Sequence, residues 1–460
     1  MSSLLCVHGS CPFVDREREL ETLDRAYRSR PAFIVVYGRR RIGKTRLVRE
    51  WLQRSGARGA YYLAQIAGHQ YNLRLMSETL SRQLGDPLIA RLSPRRLGDL
   101  LLLASRSGAE VVVIDEFTYW ARSDSIVLSE LQEFVDGELA DTGLLLVITG
   151  SLIGVMESYV LGGASPLYAR TNYRLRLAPL KPWEVSPLLP MLGPADIVRT
   201  YALVGGIPFY LCLLRGSKNI GDVVRTLIAA PGAPLRDEKD LLLREELREP
   251  RVYSTILSAL ARGLGRPSQI AQVTGLEEGH VRKYLHVMES LGFVRRDVPL
   301  FKKKGRYIIA DPVLRAWYSL VEPVVDLLEL GRLDEAYRIV MGRLDGFVSP
   351  VWEDIARSYL LARHSSEGYT LTGRLEHKGE EIDVAVVDPD GRRAIIAEAK
   401  WSDITPRSAR QVREQALLRA ARLLPKGYTV AGVYVFARSV KGGEKPPWIF
   451  TAEDVLKPPE

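Results

Sequence analysis

The stretch FIVVYGRRRIGKTRLVREWL, residues 33–52, constrains the fold more than any other part of the chain. Phe33 to Tyr37 read as a buried strand, a glycine-bounded loop follows, and Leu47, Val48, Trp51 and Leu52 then recur at the spacing of one helix face. The loop fills the pattern G-x-x-x-x-G-K-[ST] with Gly38, Arg39, Arg40, Arg41, Ile42, Gly43, Lys44 and Thr45, and Arg46 continues into the helix. Glycines let backbone N–H groups close around a polyphosphate, and the helix N-terminus directs its partial positive charge at the same oxygens. Lys44 is expected to hold the β- and γ-phosphates and Thr45 to offer its hydroxyl to Mg²⁺, so the expected ligand is a Mg–nucleoside triphosphate. The bland alternative is a glycine turn with a surface lysine, and strand, loop and helix in register weigh against it.

A phosphate loop of this kind needs parallel strands whose C-terminal ends supply further ligand groups, and two more apolar runs follow. EVVVIDEF ends in Asp115 and Glu116. On a strand expected to neighbour the phosphate loop, Asp115 can hold Mg²⁺ and Glu116 can orient or deprotonate the attacking water. GLLLVITGS, residues 143–151, ends in Thr149 and Ser151, where a group sensing the γ-phosphate would stand; hydroxyls that merely satisfy a turn are the equal alternative. Arg170 in PLYARTNYRLRL can reach nucleotide phosphates from within the chain or across a subunit of an oligomer, or can stand solvated. Alternating strands and helices make residues 13–178 a doubly wound α/β domain.

At 460 residues the chain needs several cores. Residues 1–12 read as a loosely ordered leader, and 179–250 as a helical lid interrupted by VGGIPFYL. Residues 251–312 give three helices and then two strands around a basic turn, the order of a winged helix. Lys302, Lys303, Lys304 and Arg306 at the hairpin tip suit phosphate contacts, whereas Glu277 and Glu278 at the start of the third helix would repel a duplex, which argues against base-specific reading and leaves a pure interaction or spacer role for this unit as the alternative. Residues 313–345 are a helical connector, and 346–460 a last α/β unit. There Asp383 lies in one strand, Glu398 and Lys400 sit two apart on one face of the next, and Glu353 lies on a preceding helix. Three carboxylates and a lysine converging in this way can bind Mg²⁺ and polarise water against a phosphodiester, against the alternative of solvated strand charges.

A formal net charge of +9 and a pI near 9.3 favour a polyanionic partner such as DNA. No apolar run reaches the roughly 18 residues of a membrane span, and the N-terminal LLCV is too short for a signal peptide, so no membrane association is expected. The cysteines are Cys6, Cys11 and Cys212, two of them in the leader, which reads as neither a disulfide framework nor a zinc site and fits a reducing cytoplasm. High charge density and only Asn72, Asn172 and Asn219 as asparagines suggest a thermophilic source.

Together these residues resemble the archaeal ATPase family within the AAA+/STAND group of P-loop NTPases, with its C-terminal domain of the PD-(D/E)XK, restriction-endonuclease-like type. FVDREREL, with Phe13, Val14 and Arg16, looks like the box that helps seat adenine. GRRRIGKT is similar to its Walker A, VVVIDEF to its Walker B, TGS with Ser151 to its sensor region, and GGIPFYL with Pro208 to its lid motif. The resemblance implies ATP, with ADP as product, rather than GTP. Where the family has a Gly-Arg pair after PLY, this chain has Ala169 and Arg170. EEIDVAVVD and AEAKW resemble the nuclease motifs, which makes Asp383, Glu398 and Lys400 metal-site positions and Glu353 the helix-borne acid; Ile382 replaces the proline that names the motif. Two functions follow: a DNA-directed, Mg-dependent ATPase with a nuclease-type effector, or an ATP-dependent switch or scaffold whose C-terminal fold is a non-catalytic binding platform. DNA substrate and oligomeric state stay open.

Overall fold

The computed structural model describes residues 11–459 apart from 93, 152, 157–166, 168 and 248, so most of the expected leader lies outside the described residues. The chain divides into two compact units, Asp15–Pro179 and Leu180–Glu460, the latter joined by the first residues up to Val14.

The first unit opens with helix α1 (Glu17–Arg28), which buries Leu20, Leu23 and Ala26 at three-residue spacing. Strand β1 (Ala32–Tyr37) leads through the glycine loop into α2 (Lys44–Ser55), and β2 (Gly59–Leu63), α3 (His69–Leu84), β3 (Val111–Asp115), β4 (Leu145–Gly150) and β5 (Tyr173–Arg176) follow. All pairs are parallel, in the order β2-β3-β4-β1-β5. The two central strands β3 and β4 are buried throughout, as continuous Val, Ile and Leu runs must be when crossover helices cover both sheet faces. One expectation is corrected here. β4 lies between β1 and β3, so the strand ending in Asp115 is not the neighbour of the phosphate-loop strand. Apolar runs identify strands, but their lateral order is set by how the crossovers pack.

The second unit begins with α4 (Pro194–Val204) and α5 (Pro208–Leu213). The helices α6 (Pro250–Ala261), α7 (Pro267–Thr274) and α8 (Glu278–Ser290) then precede the antiparallel pair β6 (Val294–Asp297) and β7 (Arg306–Ile309). Helix α8 buries Val281, Leu285 and Met288, one stripe at i, i+4 and i+7. Most of these helices start at a proline, whose missing N–H would have had no helical partner there. Asp311 caps α9 (Pro312–Ala316) by accepting from Val313 and Leu314 N–H.

Helix α10 (Leu333–His364) then runs 32 residues with Pro350 inside it, so the boundary expected at 345/346 falls within one continuous helix. Its Trp352 packs against Trp401 and Phe436. The final sheet has the order β12-β11-β10-β9-β8. β8 (Leu371–His377), β9 (Glu380–Asp388) and β10 (Arg393–Ile404) pair antiparallel, and α11 (Pro406–Leu423) carries the chain over to β11 (Thr429–Val440), parallel to β10 and to β12 (Ile449–Phe450).

Cys11 is 3% exposed and forms a disulfide with Cys212, at a sequence separation of 201. That corrects two expectations, a loose segment at Cys11 and a chain without disulfides, because spacing says nothing about cysteines brought together by the fold. No helix of the described residues is long and apolar enough to cross a membrane.

Candidate functional site

The glycines of the loop have physical reasons. Gly38 sits at φ 151°, and a Cβ there would stand 2.7 Å from the Leu177 carbonyl oxygen; Gly43 caps α2 at φ 99° in the left-handed region. Ile42 is fully buried and anchors the loop, while Arg39, Arg40, Arg41 and Arg46 are half-buried around it. Lys44 is only 4% exposed, and its Nζ donates to Gly38 O at 3.0 Å and Arg39 O at 3.3 Å. The ammonium is thus held over the loop that it is expected to serve.

Asp115, at the end of β3, is 1% exposed and is held by three hydroxyls. Thr45 Oγ1 donates to its Oδ2 at 2.7 Å, Tyr61 donates to the same oxygen, and Thr149 donates to Oδ1. Sequence reading missed Tyr61, whose signal was a hydroxyl in a strand that proves to lie beside β3. Burial first, and then the Asp115 carboxylate, push the Tyr61 phenol pKa up, so this group stays a donor. Glu116 follows in the left-handed region at φ 51°. Its N–H donates to Thr149 Oγ1 at 3.1 Å, and its Oε2 accepts from Ser151 N at 3.1 Å and Ser151 Oγ at 2.7 Å. Thr149 and Ser151 therefore hold the two acids, a role the sequence reading did not weigh.

Hydroxyl, carboxylate and ammonium meeting at the N-terminus of α2 suit a Mg–nucleotide, with Thr45 and Asp115 as the residues that would hold the ion. Arg16 is 6% exposed and donates to Glu19 at 2.7 Å and to Ala178 O at 2.8 Å, fastening the start of α1 to the end of its own unit. Arg170 donates to Asp136 at 2.6 Å. Phe13, Val14 and Pro208 belong to the second unit.

In the second unit the antiparallel register of β9 and β10 brings Asp383 beside Glu398 and Lys400. Lys400 Nζ lies 3.0 Å from Asp383 Oδ2 and 3.0 Å from Glu398 Oε2, and Ala399 N donates to Asp383 Oδ2 at 3.0 Å. Arg419 on α11 takes the other Glu398 oxygen at 2.9 Å. Glu353 on α10 is held at 3.0 Å by Arg357, which also donates to the Asp383 carbonyl at 3.0 Å. Burial, then the Asp383 charge, push Glu353 and Glu398 each up to about 7. Among the described residues no three or more His, Cys, Asp or Glu side chains are gathered to hold a metal. The expected three-carboxylate cluster is instead a lysine-bridged pair with the third acid drawn to its own arginine. Arg357 was legible as an i, i+4 partner of Glu353; Arg419 had no local signal.

The residues at the tip of the β6–β7 hairpin, Lys302, Lys303, Lys304 and Arg306, are exposed. The hairpin also leans on the last sheet. Leu300 N donates to Arg374 O at 2.9 Å, the Phe301 ring meets Tyr428 at 5.2 Å, and Lys302 Nζ lies 3.4 Å from His377 Nδ1. Glu278 pairs with Arg282 on its own helix.

Residues 13–214 match an ATPase domain predominantly from Archaea, residues 254–298 an IclR helix-turn-helix domain, and residues 317–412 a family described as Archaea bacterial proteins of unknown function. An uncharacterized protein of Methanocaldococcus jannaschii is 30% identical over 435 residues, covering 91% of this chain and 95% of that one. An uncharacterized ATP-binding protein of the same organism is 44% identical over 48 residues, 10% of this chain and 81% of its own. The Walker-type ATPase of Pyrococcus abyssi has a TM-score of 0.53 at 21% identity, over 66% of this chain and 96% of its own, a likeness of fold.

Proposed function

Because the chain belongs to a family of archaeal P-loop ATPases, we propose that it binds and hydrolyses Mg–ATP at the loop of residues 38–45 and couples this to DNA through its winged helix and last sheet. The observation that carries the reading is the 2.7 Å bond from Thr45 to Asp115, which joins the loop to the acid across the intervening strand β4. Lys44 neutralises the β- and γ-phosphates, and Glu116, positioned by Ser151, orients or deprotonates the attacking water. Mg²⁺, when bound, adds positive charge against the phosphate oxygens. Exposed lysines on the hairpin offer the DNA backbone sequence-independent contacts.

In the last α/β unit, Asp383, Glu398 and Lys400 on the sheet, with Glu353 on α10, form the candidate nuclease-type site of a restriction-endonuclease-like domain. A second reading has one specific observation in its favour. Lys400 bridges Asp383 and Glu398 where a metal ion would compete with it, which suits a binding platform in an ATP-dependent switch. We place the protein in the cytoplasm; intracellular proteins of hyperthermophilic archaea carry disulfides such as Cys11–Cys212.

The test is ATP binding and turnover with and without duplex DNA, beside a Mg²⁺-dependent DNA cleavage assay. Lys44→Ala should abolish binding, and Glu116→Gln should bind ATP while turning it over about 10²–10⁴-fold more slowly. Retained ATP affinity in a folded Lys44→Ala chain would sink the assignment, and turnover indifferent to DNA together with no cleavage would favour the switch.

A further inference from the structure

The second unit contains a cavity of about 260 Å³ between the hairpin strands, α9 and α10, with five arginines in its walls. Four of them have carboxylate partners. Arg295 and Arg357 share Asp354 at 2.6 and 2.9 Å, and Arg306 and Arg374 share Asp297 at 3.3 and 3.2 Å. The fifth, Arg315 on α9, forms no ion pair among the described residues, and its Nε is buried without a hydrogen-bond partner. Its guanidinium carbon lies 5.8 Å from the Phe347 ring centre, and Asp354, the acid that acts on it most, is already held by two other arginines.

A half-buried cation that no carboxylate pairs directly, with its Nε buried away from any acceptor, costs the free protein stability, and an anion supplied from outside would recover it. The planar guanidinium favours a partner with two oxygens in one plane, a phosphate or carboxylate face. A cavity of this size admits one phosphate with its attached sugar and excludes a duplex. Glu353 stands in the same wall, so a group bound here would lie beside the helix-borne acid of the candidate nuclease-type site. We propose that Arg315 anchors a phosphate group in this cavity, either a free phosphate or mononucleotide or the terminal phosphate of a nucleic-acid strand. The second source rests on the DNA reading above; the site itself does not.

The experiment uses the full chain carrying Lys44→Ala, so that the phosphate loop does not contribute, and compares it with the same chain carrying Arg315→Met. Inorganic phosphate or a 5′-mononucleotide at saturating concentration should raise the melting temperature of the first by about 2 °C or more and leave the second unmoved. In a parallel arm, a short 5′-phosphorylated oligonucleotide should bind more tightly than its unphosphorylated twin, by about 10-fold or more, only when Arg315 is present. A response to phosphate identifies the free source, and a response to the phosphorylated strand alone identifies the strand end. No response in either arm overturns the proposal. So does a lower melting temperature of the unliganded Arg315→Met chain, because replacing a half-buried cation that lacks an ion pair by an apolar side chain of similar length should be neutral or stabilising.

Discussion

Thr149→Val tests whether a hydroxyl at the end of β4 sets the geometry of both acids. Thr149 is fully buried, and its Oγ1 donates to Asp115 Oδ1 while accepting from Glu116 N–H at 3.1 Å. Valine keeps the shape and removes both bonds. The bond to the carboxylate contributes about 1.5–3 kcal/mol and the one to the amide about 0.5–1.5 kcal/mol. Asp115 keeps Thr45 and Tyr61 on its other oxygen, and the Glu116 amide retains a 3.2 Å contact with Asp115 Oδ1, so the expected loss is about 2–3 kcal/mol rather than the full sum. Thr149→Ser keeps the hydroxyl and should lose only about 1 kcal/mol of methyl burial.

Amide hydrogen exchange at Glu116, read against global denaturation, separates this local effect from the two-unit unfolding of the whole chain. Turnover should fall about 10²-fold in the valine variant with ATP affinity little changed, because misplaced acids affect the reacting geometry more than ground-state binding. A valine variant with wild-type exchange at Glu116, or a serine variant as impaired as the valine one, would refute the reasoning.

Replacing Lys302, Lys303 and Lys304 together by Ala should lower the slope of log K for DNA against log salt by about 2–3, roughly one per lost phosphate contact, and an unchanged slope would place the DNA-binding charge elsewhere. Glu353 should make stability depend on pH. Its carboxyl is pushed up to about 7, by burial first and then by Asp383, opposed by Arg357 and reinforced by Glu381 and Asp354. A carboxyl that holds its proton more tightly folded than unfolded gives stability that is full below about pH 4.5 and lost as the pH rises through 7. With the side chain 28% exposed, the loss should be about 1–2 kcal/mol. Melting curves from pH 5 to 8 should flatten in Glu353→Gln, leaving the slope due to Glu398; an unaltered slope would mean that Glu353 is already ionised at pH 5.

The phosphate loop was legible because everything it needs is local. Two glycines at φ values that side chains resist, a lysine and a hydroxyl fall within eight residues, and the flanking strand and helix announce themselves by their own periodicity. The winged-helix order and the period-two placement of Glu398 and Lys400 could be read for the same reason. What the chain does across long separations was decided only in three dimensions. The insertion of β4 between β1 and β3 turned Thr149 and Ser151 into supports for Asp115 and Glu116, and the pairing of β2 with β3 brought Tyr61 to the same carboxylate. Lys400 could be placed on the face of Glu398, but that it bridges Asp383 depends on the register of two strands, and Arg419 reaches Glu398 from a helix 21 residues on. Cys11 and Cys212, 201 residues apart, had no sequence signal at all. Local pattern sets backbone conformation and the facing of side chains; which faces meet is settled by how helices and sheets pack, and it is there that buried charges acquire or lack their partners.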